Sequence, residues 1–311
     1  MLHVRVITPE WRTARLLDEL TGDDAVTHLV VLPGAARSPG GDVLEFDVVR
    51  EGASTVLDRL RALGLDRDGA IVVERVDAAL SASADRAARR VPGLGVDAVV
   101  WQELEQQIGE EAALSASFLA FMTIAMIIAA IGVLLDQPIL IVGSMVVGPE
   151  FGPLAALCVG VVQRRWRLVR RSAVALAVGF PFAMIITVVA VWLLTALDVV
   201  DRSMLLHERP LTDFIWRPDA LSWVIGFLGG VAGILSLTSA KTGTLVGVLI
   251  SVTTIPAAAN ATVALAYGAR AEAIGSALQL VINVAAIVIA GVLTLLVQRA
   301  VWRRSRPAGR P

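Results

Sequence analysis

One cysteine, Cys158, is all the chain holds. An intramolecular disulfide, a thiol pair and a cysteine-built zinc cluster are therefore excluded. What remains for Cys158 is a small inert residue in an apolar helix. Lysine is as scarce: of 27 basic residues, only Lys241 is not arginine. That bias reflects genome composition rather than chemistry. A net charge of −1 gives no bulk attraction for nucleic acid. The opening MLHVRVITPEWR carries charges where a signal peptide needs an apolar core, so none is expected. No GxGxxG or intact P-loop occurs. The hydroxyl-rich SLTSAKTGT of Ser236–Thr244 lacks the required GxxxxGK, so ATP coupling is unsupported and Lys241 reads as a topology charge. His3 and His28 are far apart in the chain, each a surface or strand histidine rather than a ligand. His207, Glu208 and Asp213 fit no zinc spacing. No catalytic constellation, metal site or cofactor is expected, and the chain does not read as an enzyme.

What is present is apolar surface. The chain is 56% hydrophobic, with a mean hydropathy of +0.72, too apolar for a soluble protein of this size. Most acids lie in the first 111 residues, and the remainder is mainly uncharged runs. That asymmetry predicts a soluble domain followed by a membrane-embedded one.

In the head, Leu2–Thr8 alternates as a strand, Trp11–Leu20 has helical spacing closed by Gly22, and Val26–Leu32 is a second strand. Pro33–Gly41 is a turn cluster. Val43–Val49 reads as a third strand, Ala53–Leu63 as a helix stopped by Gly64, and Ile71–Val76 as a fourth strand. The order βαββαβ is the ferredoxin-like pattern, an α+β domain over residues 1–95 that reads as cytoplasmic. Ser81–Gly95 reads as linker, and residues 96–111 as a connecting helix.

Six runs follow, each long enough to span a bilayer: Ala112–Leu135, Gln137–Gln163, Ser172–Leu197, Ala220–Ala240, Thr242–Ala269 and Ala273–Gln298. They define a six-helix membrane domain over 112–298, with a basic tail over 299–311. Arg164, Arg165, Arg167, Arg170 and Arg171, the five tail arginines and Lys241 fall on one side. Arg202, Arg209, Arg217 and Arg270 fall on the other. This bias of eleven against four puts both termini in the cytoplasm of a multi-pass protein of the cell membrane. Three spans on either side of the Val199–Pro218 loop give two halves of opposite topology, a 3+3 inverted repeat.

The middle span of each half carries helix breakers. Span two contains Gly143–Pro153, GSMVVGPEFGP, with three glycines, two prolines and one acid in an otherwise uncharged run. Two prolines in a helix interior predict a break, and Glu150 falls at its midpoint. An acid at that depth costs several kcal/mol unless it faces protein or water. Span five matches it as Ser-x4-Pro: Ser144 and Pro149 against Ser251 and Pro256. Broken helices expose half-helix ends that bind ions. The expected midplane site comprises Glu150, Ser144, Gly148, Pro149, Gly152 and Pro153 from span two, and Thr253, Thr254, Pro256 and Asn260 from span five. Span six adds Gln279 and Asn283, four apart on one face. The bland alternative is that Asn, Thr and Gln bond across helices as packing elements. In span four, the GxxxG pair Gly229 and Gly233, with Gly226 and Gly230 nearby, predicts close helix packing or a subunit contact.

GSMVVGPEFGPLAAL (Gly143–Leu157), with ISVTTIPAAANATVAL and the closing LQLVINVAAIVIAG, resembles the DUF389 family of "uncharacterised hydrophobic domain" membrane proteins. The resemblance covers about residues 112–298, and a similar head occurs in many members. Family members often carry a further proline where Ala257 follows Pro256. The resemblance implies this architecture, with Gly143, Ser144, Met145, Pro149, Gly152, Pro153, Pro256 and Asn283 at motif positions, and implies no chemistry. Two function classes follow. One is a secondary transporter or channel-like permease of a small solute or ion, with Glu150 as coupling or gating acid. The other is a membrane-anchored sensor or scaffold whose head binds a ligand or partner. Expected partners are the lipid bilayer, the solute or ion, and copies of the chain as a homo-oligomer, with no nucleic acid.

Overall fold

A computed structural model describes residues 1–76, 79–91, 99–239 and 253–304. The chain forms two compact units, one built mainly on Met1–Leu104, with Thr238 and the residues from Gln298 on, and one on Glu105–Leu237 and the described residues up to Val297.

In the first unit the elements run β1 (Leu2–Thr8), α1 (Glu10–Thr21), β2 (Val26–Arg37), β3 (Gly40–Val48), α2 (Arg50–Ala62), α3 (Leu65–Asp68), β4 (Ala70–Arg75) and α4 (Ala82–Arg90). The four strands lie in the order β2-β3-β1-β4, with every neighbouring pair antiparallel. The period-two pattern of β1 and β3 turns Leu2, Val4, Val6, Leu44, Phe46 and Val48 to one face. Leu16 and Leu20 of α1 and Val56, Leu57 and Leu60 of α2 close over them. Each such side chain stabilises the unit by about 1.5–3 kcal/mol. Gly64 ends α2 at φ 74°, where a Cβ is disfavoured. The predicted turn cluster after Leu32 is instead strand: β2 continues to Arg37 and pairs with β3 as far as Gly40.

The segment that reads as linker contains α4. Ser81 caps it by accepting the Ser83 N–H, and Ala87 joins the head core. Small residues and arginines hid a helix whose buried face needs only alanine. On the opposite sheet face, two histidines distant in sequence converge. His3 Nδ1 lies 2.9 Å from Asp47 Oδ1, and His28 Nδ1 lies 2.7 Å from Asp47 Oδ2.

The second unit contains α6 (Ala116–Leu134), α7 (Pro138–Val147), α8 (Phe151–Val162), α9 (Trp166–Ala196), α10 (Arg202–Leu206), α11 (Ala220–Thr238), α12 (Thr254–Ala266) and α13 (Arg270–Arg304), preceded by α5 (Trp101–Glu111), which begins in the first unit. Four of these, α6, α9, α11 and α13, are long and apolar enough to cross a membrane. The pair α7 and α8, bent by 52°, makes a fifth candidate span among the described residues. The chain therefore has the make-up of a membrane protein. The predicted fifth run is described only from Thr253 on, as α12, and its earlier part lies outside the described residues.

α12 sits at the centre of this unit. Every residue from Thr254 to Ala264 is buried, because alanines let α6, α7 and α9 approach it closely. The outward faces of the long helices carry exposed Phe121, Ile124, Ile185, Leu193, Leu228 and Val281, an apolar surface suited to lipid. Gly226 and Gly230 of α11 face α13: a Cβ on Gly230 would sit 2.7 Å from the Ile287 carbonyl oxygen.

Candidate functional site

Span two breaks where Gly and Pro interrupt it. α7 ends at Val147, with the Gly148 N–H still bonded to the Ser144 carbonyl at 3.0 Å. Pro149 has no N–H to continue the ladder. α8 restarts after Glu150, and Pro153 occupies its third position, where a first-turn proline forfeits no helical bond. Pro256 is likewise the third residue of α12. Pro153 and Pro256 thus stand at the same position of their helices, whereas Pro149, which the Ser-x4-Pro alignment pairs with Pro256, precedes α8. Ser251 lies outside the described residues.

Glu150 is buried at this break, 2% exposed. Its Oε1 accepts the Thr254 hydroxyl at 2.7 Å, joining the start of α8 to the start of α12. Its Oε2 has no hydrogen-bond partner, and no basic side chain pairs with it among the described residues. Gly148 makes room for this carboxylate: a Cβ there would collide with Glu150 Oε2 and lie 2.8 Å from Ile255 Cγ1. Next door, Asn283 Nδ2 donates to Thr253 Oγ1 at 2.6 Å and to the Thr253 carbonyl at 3.3 Å. Gln279 Nε2 donates to Asn283 Oδ1 at 3.3 Å, and Gln279 Oε1 is buried without a partner among the described residues.

Asn260, expected in the same site, belongs to a second cluster. It accepts from Arg209 Nη1 at 3.2 Å and donates to Glu272 Oε1 at 3.0 Å and Ser276 Oγ at 2.7 Å. Arg209 also forms an ion pair with Glu272. The sequence places Arg209 among the loop charges, yet it is only 4% exposed. The loop carrying it is folded: Asp201 caps α10, Leu205, Thr212 and Ile215 are buried, and the Thr212 hydroxyl donates to Asp136 at 2.8 Å. Its apolar residues, Met204–Leu206 and Phe214–Trp216, were the available signal that it packs rather than dangles.

The two clusters share one helix face. Glu272, Ser276, Gln279 and Asn283 follow the 3.6-residue repeat on α13, and all four are buried. They form a polar stripe about 16 Å long, from the ion pair at one end to the Glu150 break at the other. The remaining expected residues lie off it. Ser144 Oγ turns back to the Ile141 carbonyl at 2.6 Å. Gly152 and Pro153 are buried in the first turn of α8, where Gly152 admits Glu111: a Cβ would lie 2.9 Å from Glu111 Cβ. A buried acid, hydroxyls and amides with spare oxygens can hold a proton or a small cation. Among the described residues, no group of three or more His, Cys, Asp or Glu could hold a metal ion.

Residues 145–289 match the family described as Domain of unknown function (DUF389), the segment that holds the break, the ion pair and the stripe. The chain is also similar to an uncharacterized protein of Methanocaldococcus jannaschii, 28% identical over 159 residues. That match covers 51% of this chain and 47% of the relative, so the chain spans about half the length of the curated protein it matches. No solved structure matches it.

Proposed function

We propose that this chain, whose residues 145–289 match the DUF389 family, is a secondary transporter or channel-like permease of a small solute or ion. Its site lies at the break between α7 and α8, facing the start of α12. The observation that carries this reading is the buried Glu150 carboxylate, which has one oxygen held by Thr254 and the other without a partner among the described residues. An ionised acid at that depth costs several kcal/mol unless a proton or a cation answers its charge. Uptake and release of such a charge is therefore the event the site is built for. Glu150 is the coupling acid, Thr253, Thr254, Gln279 and Asn283 supply oxygens, and the stripe on α13 is the route towards the Arg209 end. No catalytic step and no cofactor enter.

The wider architecture proposed with it has six spans in two inverted halves, in the cell membrane, with both termini cytoplasmic and copies of the chain associating. The prolines at the third positions of α8 and α12 support a repeat. The strand order β2-β3-β1-β4 supports a ferredoxin-like head, here given a regulatory role. A second reading, a membrane-anchored sensor, is favoured by a cavity of about 300 Å³ in the head, lined by Trp11, Arg12, Arg15 and Leu65.

The test is reconstitution into liposomes with a pH-sensitive dye inside, screening protons, alkali cations and small organic solutes against Glu150→Gln. Permeation that the wild type shows and Glu150→Gln loses by tenfold or more supports the proposal. Identical fluxes for the two proteins across the whole screen would overturn it.

A further inference from the structure

At the corner between α8 and α9 the chain reads Gln163-Arg-Arg-Trp-Arg-Leu-Val-Arg-Arg171. The arginines of this stretch are exposed. Arg165, Trp166, Arg167, Leu168 and Arg171 line a cavity of about 490 Å³. Arg167 and Arg171 are four apart on α9 and so share a face. Neither has a carboxylate partner among the described residues.

The length of α9 fixes the depth of this cavity. The helix has 31 residues, about 46 Å of rise, whereas the hydrocarbon layer is about 30 Å thick. The uncharged part of α9 starts at Ser172. The turns carrying Arg167, Arg170 and Arg171 therefore overshoot the hydrocarbon and stand at headgroup level. Trp166, 69% exposed, is an aromatic of the kind that settles at that interface, with its ring in the acyl boundary and its N–H among headgroups. Leu168 is half-buried and gives the cavity an apolar wall.

We propose that this corner is a binding site for the phosphate of an anionic phospholipid headgroup. Guanidinium groups match phosphate oxygens in a planar, two-pronged geometry. A zwitterionic headgroup carries its own cation and gains little from them. The site takes one lipid, with the phosphate against Arg167 and Arg171, and with Trp166 and Leu168 against the glycerol and upper acyl chain. It is separate from the Glu150 break and stands whether or not that break conducts.

The test uses the full chain in neutral detergent, with added phosphatidylglycerol, added phosphatidylcholine or inorganic phosphate, followed by native mass spectrometry and thermal unfolding. The wild type is expected to retain phosphatidylglycerol and unfold at higher temperature with it, and to do neither with phosphatidylcholine. R167Q/R171Q changes two exposed side chains and leaves the buried core intact. It is expected to bind phosphatidylglycerol roughly 30-fold more weakly, two arginine contacts being lost. R202Q, at an exposed arginine outside the corner, is expected to bind as the wild type does. Equal retention of the two lipids by the wild type, or undiminished phosphatidylglycerol binding by R167Q/R171Q, would overturn the proposal. Inorganic phosphate displacing the lipid at millimolar concentration and reproducing its thermal shift would also overturn it, by making the ligand a soluble phosphate.

Discussion

Replacing Arg209 by methionine removes the guanidinium from the buried end of the polar stripe. Arg209 and Glu272 are paired with side chains only 4% and 11% exposed. In Arg209→Met the Glu272 carboxylate stays buried with the Asn260 amide as a neutral donor, and Asn260 Oδ1 loses the partner it had at 3.2 Å. Breaking a buried ion pair by deleting one partner costs about 3–5 kcal/mol. Replacing both partners by apolar groups of similar size is often neutral. The double variant R209M/E272L is therefore expected to recover most of what R209M loses. Arg217 serves as the contrast: it pairs with Asp213 through a side chain that is 64% exposed, and such pairs are worth about 0–1 kcal/mol. The assay is equilibrium unfolding of the full chain in mixed micelles, followed by circular dichroism, for the wild type, R209M, E272L, the double variant and R217M. A loss in R209M no larger than that in R217M would refute the reasoning. A double variant less stable than both single ones would refute it too.

Gly230→Val drives a branched side chain into the Ile287 carbonyl and the Ala290 methyl, which a Cβ alone would approach to 2.7 and 2.9 Å. A loss of about 1–3 kcal/mol is expected in the same unfolding assay, whereas Gly143→Ala, with nothing within 4 Å of its Cβ, is expected to be neutral or stabilising. In the head, Asp42 accepts the Thr13 hydroxyl at 2.6 Å and the Gly34 N–H at 2.8 Å. These bonds, the Thr13 one foremost, hold its carboxyl below the ordinary range. Because the folded value is the depressed one, the stability Asp42 contributes is fully present above the unfolded value of about 3.9 and is lost as pH falls through the folded value. Hydrogen exchange at the Gly34 amide, corrected for intrinsic rates, should accelerate over that acidic window in the wild type and show no such step in Asp42→Asn.

The break in span two was legible because glycine, proline and an acid have one common meaning inside an apolar run, and because the run's length fixed the depth. The strands of the head were legible because alternation survives wherever one sheet face is buried. Asn260 was assigned to the wrong cluster for a reason of geometry. It lies six residues beyond Thr254, about 9 Å along the helix, and faces Arg209, which composition had consigned to solvent. Glu272 was missed likewise, since an acid at the start of a helix reads as a solvated end until the loop that covers it is known. The α4 helix escaped because alanine and arginine give no apolar stripe. Pairings such as His3 and His28 on Asp47 need the registers of β1 and β2 against β3, which periodicity alone does not supply.

Pro149 and Pro153 stand four residues apart, which is one helical hydrogen bond. If α7 and α8 were to fuse into a straight rod, each proline would lack the N–H owed to the residue four before it, and its ring would press on that carbonyl, at about 3 kcal/mol or more apiece. The bent form is therefore favoured over a straight rod, in which two prolines would have to be carried together, whereas α9 carries only Pro181 within one continuous helix. In the transport cycle proposed above, the two halves of span two would move as hinged bodies about Gly148–Glu150 rather than by winding and unwinding. On that proposal the Glu150 carboxylate sits at the pivot, the point that travels least while its surroundings change.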